Sequence, residues 1–172
     1  MDSIITHLTA IILAVAMLFI APAYRISWMK DLEIYKYVSN ETNQFVTNVR
    51  LKGYISKNMI ETYLRSLDNT GYMYDVELIH SKKVYYPLEP SHPDYTPEHR
   101  FAVEDDVYST KHILDTIYNQ GKDYTMNIGD NFEIIVINKT KTNAMVLSGY
   151  FGGSGENMIF ARCGGAIQNE DY

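Results

Sequence analysis

Near its N-terminus the chain has one long, predominantly hydrophobic stretch. Residues 4–23 read IITHLTAIILAVAMLFIAPA, and no charged residue stands between Asp2 and Arg25. A run of this length reaches the roughly 20 residues that cross a bilayer core of about 30 Å. The pattern therefore predicts a helix whose apolar part, residues 3–24, lies in a membrane or in another apolar environment.

A helical pattern continues beyond this apolar part. Residues that suit a buried face recur every three or four positions, which gives one stripe along a helix. The stripe consists of Ile26, Trp28, Leu32, Tyr35, Val38, Thr42, Phe45 and Val49. Polar residues such as Lys30, Asp31 and Glu33 fall on the wetter faces. We expect one helix over about residues 3–51, roughly 70 Å long, with a break at Pro22 into two helices as the alternative.

The remainder of the chain has the pattern of a mixed domain. Ser56 is suited to cap a second helix over residues 57–68, and Gly71 is suited to end it. Alternating apolar and polar residues predict strands at residues 74–80, 83–88, 124–128, 132–138, 144–151 and 158–163. A polar loop over residues 89–106 and a helix over residues 107–119 separate the second strand from the third.

These elements predict the α+β class. A long N-terminal helix and a short helix come first, and an antiparallel β-sheet head follows them. We therefore divide the chain into the long helix, residues 1–52, and a globular head, residues 53–172.

Three interpretations of the apolar stretch remain open from the residues alone. A cleaved signal peptide would have residues 8–21 as its apolar region and the small-x-small sequence of residues 21–23 as its cleavage site. The acidic start at Asp2, with no preceding Lys or Arg, is atypical of such peptides.

A permanent membrane anchor is the second interpretation, and Arg25 and Lys30 would then weakly favour a cytoplasmic head. The third is a helix that waits in the membrane and later packs into the core of a filament. We favour the third.

Composition narrows the classes of partner. The chain has 15 basic and 21 acidic residues and a net charge of −6, which disfavours nucleic acid. The 15 tyrosines suit surfaces that contact other proteins, because tyrosine combines a large apolar area with a polar tip. Cys163 is the only cysteine, so the chain cannot form an internal disulfide, and we expect a buried thiol.

Candidate chemistry is sparse. His92 and His99 share the polar loop with acidic residues that include Asp94 and Glu98, a composition that hard divalent cations bind. No ligand spacing in this loop matches a known metal motif, and a solvated acidic loop is the simpler interpretation. The glycine-rich residues 152–155 lack the lysine of a phosphate-binding loop. We therefore predict no catalytic, cofactor-binding or metal-ligating residue, and no enzyme.

The order of elements resembles that of type IV pilin-like proteins. Three stretches look more specifically like pilin-like proteins of tight-adherence (Tad-type) pilus loci in Gram-positive anaerobes. They are FVTNVRLKGYI at residues 45–55, LDNTG at 67–71 running into YDVEL at 74–78, and YTMNIGDNF at 124–132. The resemblance implies a structural subunit, held in the membrane before assembly and then polymerised with copies of itself or related subunits at the cell surface.

The resemblance also implies which residues contact neighbouring helices in the filament core. These are Ile5, Leu8, Ile12, Val15 and Phe19. The family has a basic leader ending in glycine and a glutamate at the fifth position. The sequence shows no such leader before Met1, so either the subunit is already processed or it departs from the family here, and its fifth residue is Ile5. Asp2 is the acid near enough to replace that glutamate in pairing with a neighbour's N-terminal amine.

A rival from another class is a single-pass membrane protein whose extracytoplasmic head binds a ligand or partner. Residues 89–106 would form its binding site. A polymer that sediments would favour the filament subunit, and a monomer that detergent solubilises would favour the rival.

Overall fold

The computed structural model describes residues 2–89, 91, 93, 96, 100–150, 153 and 159–169, with only the backbone of Asp2, Ser3 and Ala16. The chain has the α+β fold, with a long N-terminal helix followed by shorter helices and an antiparallel sheet. The elements are α1 (Asp2–Lys52), β1 (Tyr54–Ile55), α2 (Lys57–Asp68), β2 (Tyr74–Pro87), β3 (Phe101–Ser109), α3 (Thr110–Tyr118), β4 (Tyr124–Thr125), β5 (Asn131–Asn138), α4 (Asn143–Tyr150) and β6 (Phe160–Ala166).

Helix α1 is continuous over 51 residues, including Pro22, so the alternative of two separate helices is wrong. At about 1.5 Å per residue it is about 75 Å long. It ends at Lys52, and the next residue, Gly53, has a left-handed backbone (φ 76°) and donates its N–H to the carbonyl of Val49 at 2.8 Å. The positive side chains of Arg50 and Lys52, in the last turn, interact favourably with the negative end of the helix dipole.

The sheet has four antiparallel strands in the order β3-β2-β5-β6. Leu78 on β2 lies opposite Ile134 on β5, and Ile134 lies opposite Cys163 on β6, so these side chains share one face. This inner face packs against the helices and holds the buried residues of the sheet. Strands β1 and β4 form a separate antiparallel pair beside it.

The core joins the second half of α1 to the other elements. The ring of Phe45 stacks on Tyr63 of α2 with centroids 4.6 Å apart, and it meets Phe132 of β5 edge-on at 6.4 Å. The buried side chains of α1 in this core are Val38, Phe45, Val46 and Val49. Three elements therefore depend on one aromatic side chain of the long helix.

The predicted second helix is confirmed at residues 57–68. Ser56 is its N-cap, and the Ser56 hydroxyl accepts a hydrogen bond from the N–H of Met59 at 3.3 Å. Gly71 has the left-handed backbone expected at the end of this helix, with φ 75°.

The predicted strand boundaries are wrong in several places. Residues 74–87 form one strand, β2, instead of two, because the backbone stays paired with β3 through Ser81 and Lys82. The predicted loop at 89–106 contains the first part of β3, which begins at Phe101, and the following helix begins at Thr110 instead of residue 107. Strand β4 covers only Tyr124–Thr125, and β6 runs over Phe160–Ala166 instead of residues 158–163, of which Met158 lies outside the described residues.

The predicted strand at residues 144–151 is helix α4 up to Tyr150, and residue 151 lies outside the described residues. A short apolar run fits a buried strand or a helix equally well by periodicity. Helix α4 packs beside α1 instead of joining the sheet, and Ala144 is buried there.

Asp31, which we predicted on a wetter face of α1, is buried with 4% of its surface exposed. Its carboxylate accepts a hydrogen bond from the hydroxyl of Thr142, which is also buried. The pKa of Tyr72 is raised, mainly because its hydroxyl is partly buried and secondarily because the Asp31 carboxylate lies nearby. In the predicted stripe, Ile26 and Trp28 are exposed, Leu32 and Tyr35 are half-buried, and the residues from Val38 onward are buried.

Replacing Phe45 with alanine is expected to lower the free energy of unfolding of the head by about 3–5 kcal/mol, because it leaves a cavity between three elements. Urea unfolding of the full chain in detergent, followed by far-UV circular dichroism, measures the change. Asn43→Ala, at an exposed position of the same helix, serves as the control and should change stability by less than about 0.5 kcal/mol. Equal effects of the two substitutions would contradict the central place of Phe45.

Candidate membrane and assembly surface

The first half of α1 extends away from the head, and its described side chains are exposed as far as Tyr24. We call residues 4–23 the apolar span. The side chains of the five predicted contact residues are each at least half exposed. The exposed fractions are 60% for Ile5, 58% for Leu8, 61% for Ile12, 50% for Val15 and 68% for Phe19. The structure therefore leaves all five side chains accessible to another molecule.

The apolar span presents hydrophobic side chains on every side. Ile5, Leu8, Ile12, Val15 and Phe19 follow a spacing of three and four and lie along one side of the helix. Leu13, Met17 and Ile20 lie on the other side and are exposed as well. A helix that is apolar all round is typical of a membrane span or of a large buried core.

By length and composition, α1 could cross a membrane. An 18-residue window of this helix has a mean hydropathy of 2.5, and no part of that window is buried inside the chain. One polar side chain in the span is satisfied locally, since the Thr9 hydroxyl lies 3.0 Å from the carbonyl oxygen of Ile5 and 2.9 Å from that of Thr6. A hydroxyl bonded to its own helix costs less in an apolar medium than one without a partner.

The sixth predicted residue, Asp2, is the first described residue of α1. Its side chain lies outside the described residues, so its pairing with a neighbour stays a prediction. The loop residues His92, Asp94, Glu98 and His99 lie outside the described residues too, as do Gly152, Ser154 and Gly155 of the glycine-rich segment.

In the part of the chain that the structure describes, no group of three or more His, Cys, Asp or Glu side chains is arranged to hold a metal ion. Cys163 is half-buried instead of fully buried, and burial raises the pKa of its thiol. It shares the lining of a shallow cavity with Tyr35, Lys36, Ser39, Asn40 and Asn43 of α1.

The head contains a buried polar cluster that the sequence did not predict. His80 Nδ1 lies 2.7 Å from the Tyr124 hydroxyl, and His80 Nε2 lies 3.0 Å from a carboxylate oxygen of Asp130. The Asp130 carboxylate also accepts hydrogen bonds from the backbone N–H groups of Asn127 and Lys83. Because these partners are 44 and 50 positions from His80, no local sequence pattern brings them together.

The surroundings of the cluster indicate a structural role. His80, Tyr124 and Asp130 are each at most 6% exposed, so a substrate has no access to them. Burial lowers the pKa of His80, against the opposing effect of Asp130, and burial raises the pKa of Tyr124. A neutral His80 then donates from Nε2 to Asp130 and accepts from Tyr124 at Nδ1. These hydrogen bonds hold β4 and the turn before β5 against strand β2.

Comparison of the chain with protein-family models, with curated proteins and with solved structures finds no match.

The lowered pKa of His80 predicts loss of stability in acid. The unfolded histidine takes up a proton near pH 6.5 whereas the buried one resists it, so acidification favours the unfolded chain. The contribution of His80 should be complete above about pH 6.5 and decline as the pH falls toward the folded-state pKa. Urea unfolding of the full chain at pH 7.5 and at steps down to pH 5 measures this slope.

The matched variant is His80→Gln, which has no titrating ring in the cluster. It should be less stable at pH 7.5 and should depend less steeply on pH over the same range. An unchanged slope in His80→Gln would assign the acid sensitivity to other groups.

Proposed function

We propose that this chain is a non-enzymatic, pilin-like subunit of an extracellular filament or of its assembly machinery. The apolar span holds the subunit in the cytoplasmic membrane before assembly and then packs against the spans of other subunits. The observation that supports this most strongly is the division of one unbroken helix. Its second half contributes to the core of the head, whereas the described side chains of the apolar span are exposed.

The cost of exposing apolar side chains to water favours a state in which the span is always surrounded by lipid or by another apolar surface. Fully burying one large apolar side chain is worth about 1.5–3 kcal/mol, so exposing the five predicted contact residues to water costs on the order of 10 kcal/mol. A subunit of this design leaves lipid only when another apolar surface replaces the lipid. A bundle of identical spans offers such a surface, because every side of the helix is apolar.

The continuous helix that joins span and head links the packing of the spans to the arrangement of the heads. Since α1 continues from the span into the core of the head, the position of a span in the bundle sets the position of its head. A head-to-tail contact that does not close produces an open helical assembly. In this arrangement the spans form the centre, and the heads form the outer surface.

The head offers surface suited to protein contacts. Tyr85 is 62% exposed and Tyr86 is 45% exposed, and both lie on the part of β2 that pairs with β3. Exposed tyrosines provide large contact area with little loss of side-chain freedom. Such residues suit contacts between neighbouring heads or with molecules outside the filament, and the acidic balance of the chain disfavours nucleic acid.

The resemblance to Tad-type pilin-like proteins extends this proposal to Asp2. In that family a carboxylate near the start of the helix pairs with the N-terminal amine of a neighbouring subunit. Asp2 is the acidic residue ahead of the span, and it takes this role in the proposed assembly.

A single-pass anchor for an extracytoplasmic binding head is the alternative function. It uses the same span but requires no contact between spans. Its expected binding loop is shorter than the sequence indicates, because residues 101–106 belong to β3. Under this alternative the protein stays in the membrane as a monomer that detergent releases.

Two matched variants test contact between spans without removing the span's apolar character. Ile12→Ala, Val15→Ala and Phe19→Ala together change the predicted contact side, and Leu13→Ala, Met17→Ala and Ile20→Ala change the other side. Both variants should remain in the membrane fraction. The first should reduce the amount of filament sheared from the cell surface by at least about tenfold. A loss of about 1.4 kcal/mol of binding free energy in each contact between spans weakens that contact tenfold.

The second variant should keep most of its filaments. A stronger change, Ile12→Asp with Val15→Asp, should abolish filaments altogether. Normal filaments in the first alanine variant would overturn the proposed contact side, and normal filaments in the aspartate variant would overturn the filament proposal.

A further inference from the structure

Helix α4 runs along α1 toward the apolar span. At its start, Thr142 is held by the buried carboxylate of Asp31, and the Thr142 hydroxyl oxygen also accepts from the N–H of Met145 at 3.2 Å. Near its end, Ser148 lines a cavity together with Ala21 and Tyr24 of α1. Helix α4 therefore runs antiparallel to α1. Its start lies beside residue 31 of α1, and its end lies beside residues 21–24.

Helix α4 itself carries no charged residue, and two of its hydrophobic side chains are exposed near its end. No charged residue occurs between Lys141 and Glu156. Tyr150 is 82% exposed and Val146 is 45% exposed, whereas Ala144 is buried against the protein. This end of the head therefore presents an aromatic and an aliphatic side chain to its surroundings.

The depth of this surface follows from the length of the span. Residues 4–23 form about 30 Å of helix, which matches the thickness of a bilayer core. The edge of that core then falls near Tyr24, at the level reached by the end of α4. Tyr24 and Trp28 are also exposed here, and tyrosine and tryptophan are enriched where the core of a bilayer meets the headgroups.

We propose that the end of α4, at Val146 and Tyr150, is a second membrane contact that enters the headgroup region of a phospholipid bilayer. This inference rests on the membrane-held state of the proposed function. The span fixes the depth of the subunit, and the end of α4 fixes the orientation of the head above the bilayer. Assembly must then remove both the span and this end of α4 from lipid.

Site-directed fluorescence in vesicles tests the contact. Cys163→Ser provides a background without cysteine, and single cysteines are introduced at Tyr150, Leu13 or Leu51 of the full chain and labelled with an environment-sensitive fluorophore. The vesicles are phosphatidylcholine with a nitroxide near the headgroup or deep in the acyl chain. Leu13 reports the span, and Leu51, 49% exposed and about 40 Å from Tyr24 along α1, is the aqueous control.

The expected result is at least twofold quenching of the Tyr150→Cys label by the shallow nitroxide, with less quenching by the deep one. The Leu13→Cys label should show the reverse order, and the Leu51→Cys label should be quenched by neither. Val146→Cys, which keeps Tyr150, should repeat the shallow pattern.

The other outcomes separate the two proposals. Quenching at Leu13 without quenching at Tyr150 and Val146 would overturn the α4 contact and leave the membrane-held state intact. Absence of quenching at Leu13 would overturn the membrane-held state and the α4 contact with it. Disulfide-linked dimers of unlabelled Val146→Cys, without quenching by lipid, would assign this surface to a second copy of the chain and overturn the lipid contact.

Discussion

The structure depends on one helix serving two environments. Beyond Asp31, α1 supplies Val38, Phe45, Val46 and Val49 to the core, and the sheet and α2 fold against them. Before Tyr24, the described side chains of the same helix are exposed and mostly apolar. Because the backbone hydrogen bonds of a helix are internal to it, the helix can pass from an aqueous domain into an apolar medium with most of its backbone polar groups paired, although Pro22 supplies no N–H.

The region between Ala21 and Asp31 joins these two halves. Asp31 is the buried charged residue through which α1 holds the segment that leads into α4, by way of Thr142. A buried carboxylate requires hydrogen-bond partners, so this contact fixes the chain at that point more specifically than an apolar contact would. The lower edge of the head is consequently defined close to the end of the span, and that position gives the proposed lipid contact at Tyr150 its physical basis.

The sequence allowed much of this arrangement to be predicted where signals are local. The length of the apolar span, the three- and four-residue spacing of Val38, Thr42, Phe45 and Val49, and the cap at Ser56 all act within a few residues, and the structure agrees with them. Predictions failed where tertiary contacts decide. Residues 144–150 are helical because they pack beside α1, and β3 forms because β2 is long enough to pair with it. The His80 cluster joins residues that are distant in sequence, so its geometry becomes visible only in the fold.

The most direct test is the intact mass of the protein in material sheared from cells and sedimented at high speed. A filament subunit that polymerises through its span must keep residues 4–23 in this fraction. The predicted result is a sedimented chain whose mass includes them. A soluble species that begins at Tyr24 would show that the stretch is removed as a signal peptide, and it would contradict assembly through the apolar span.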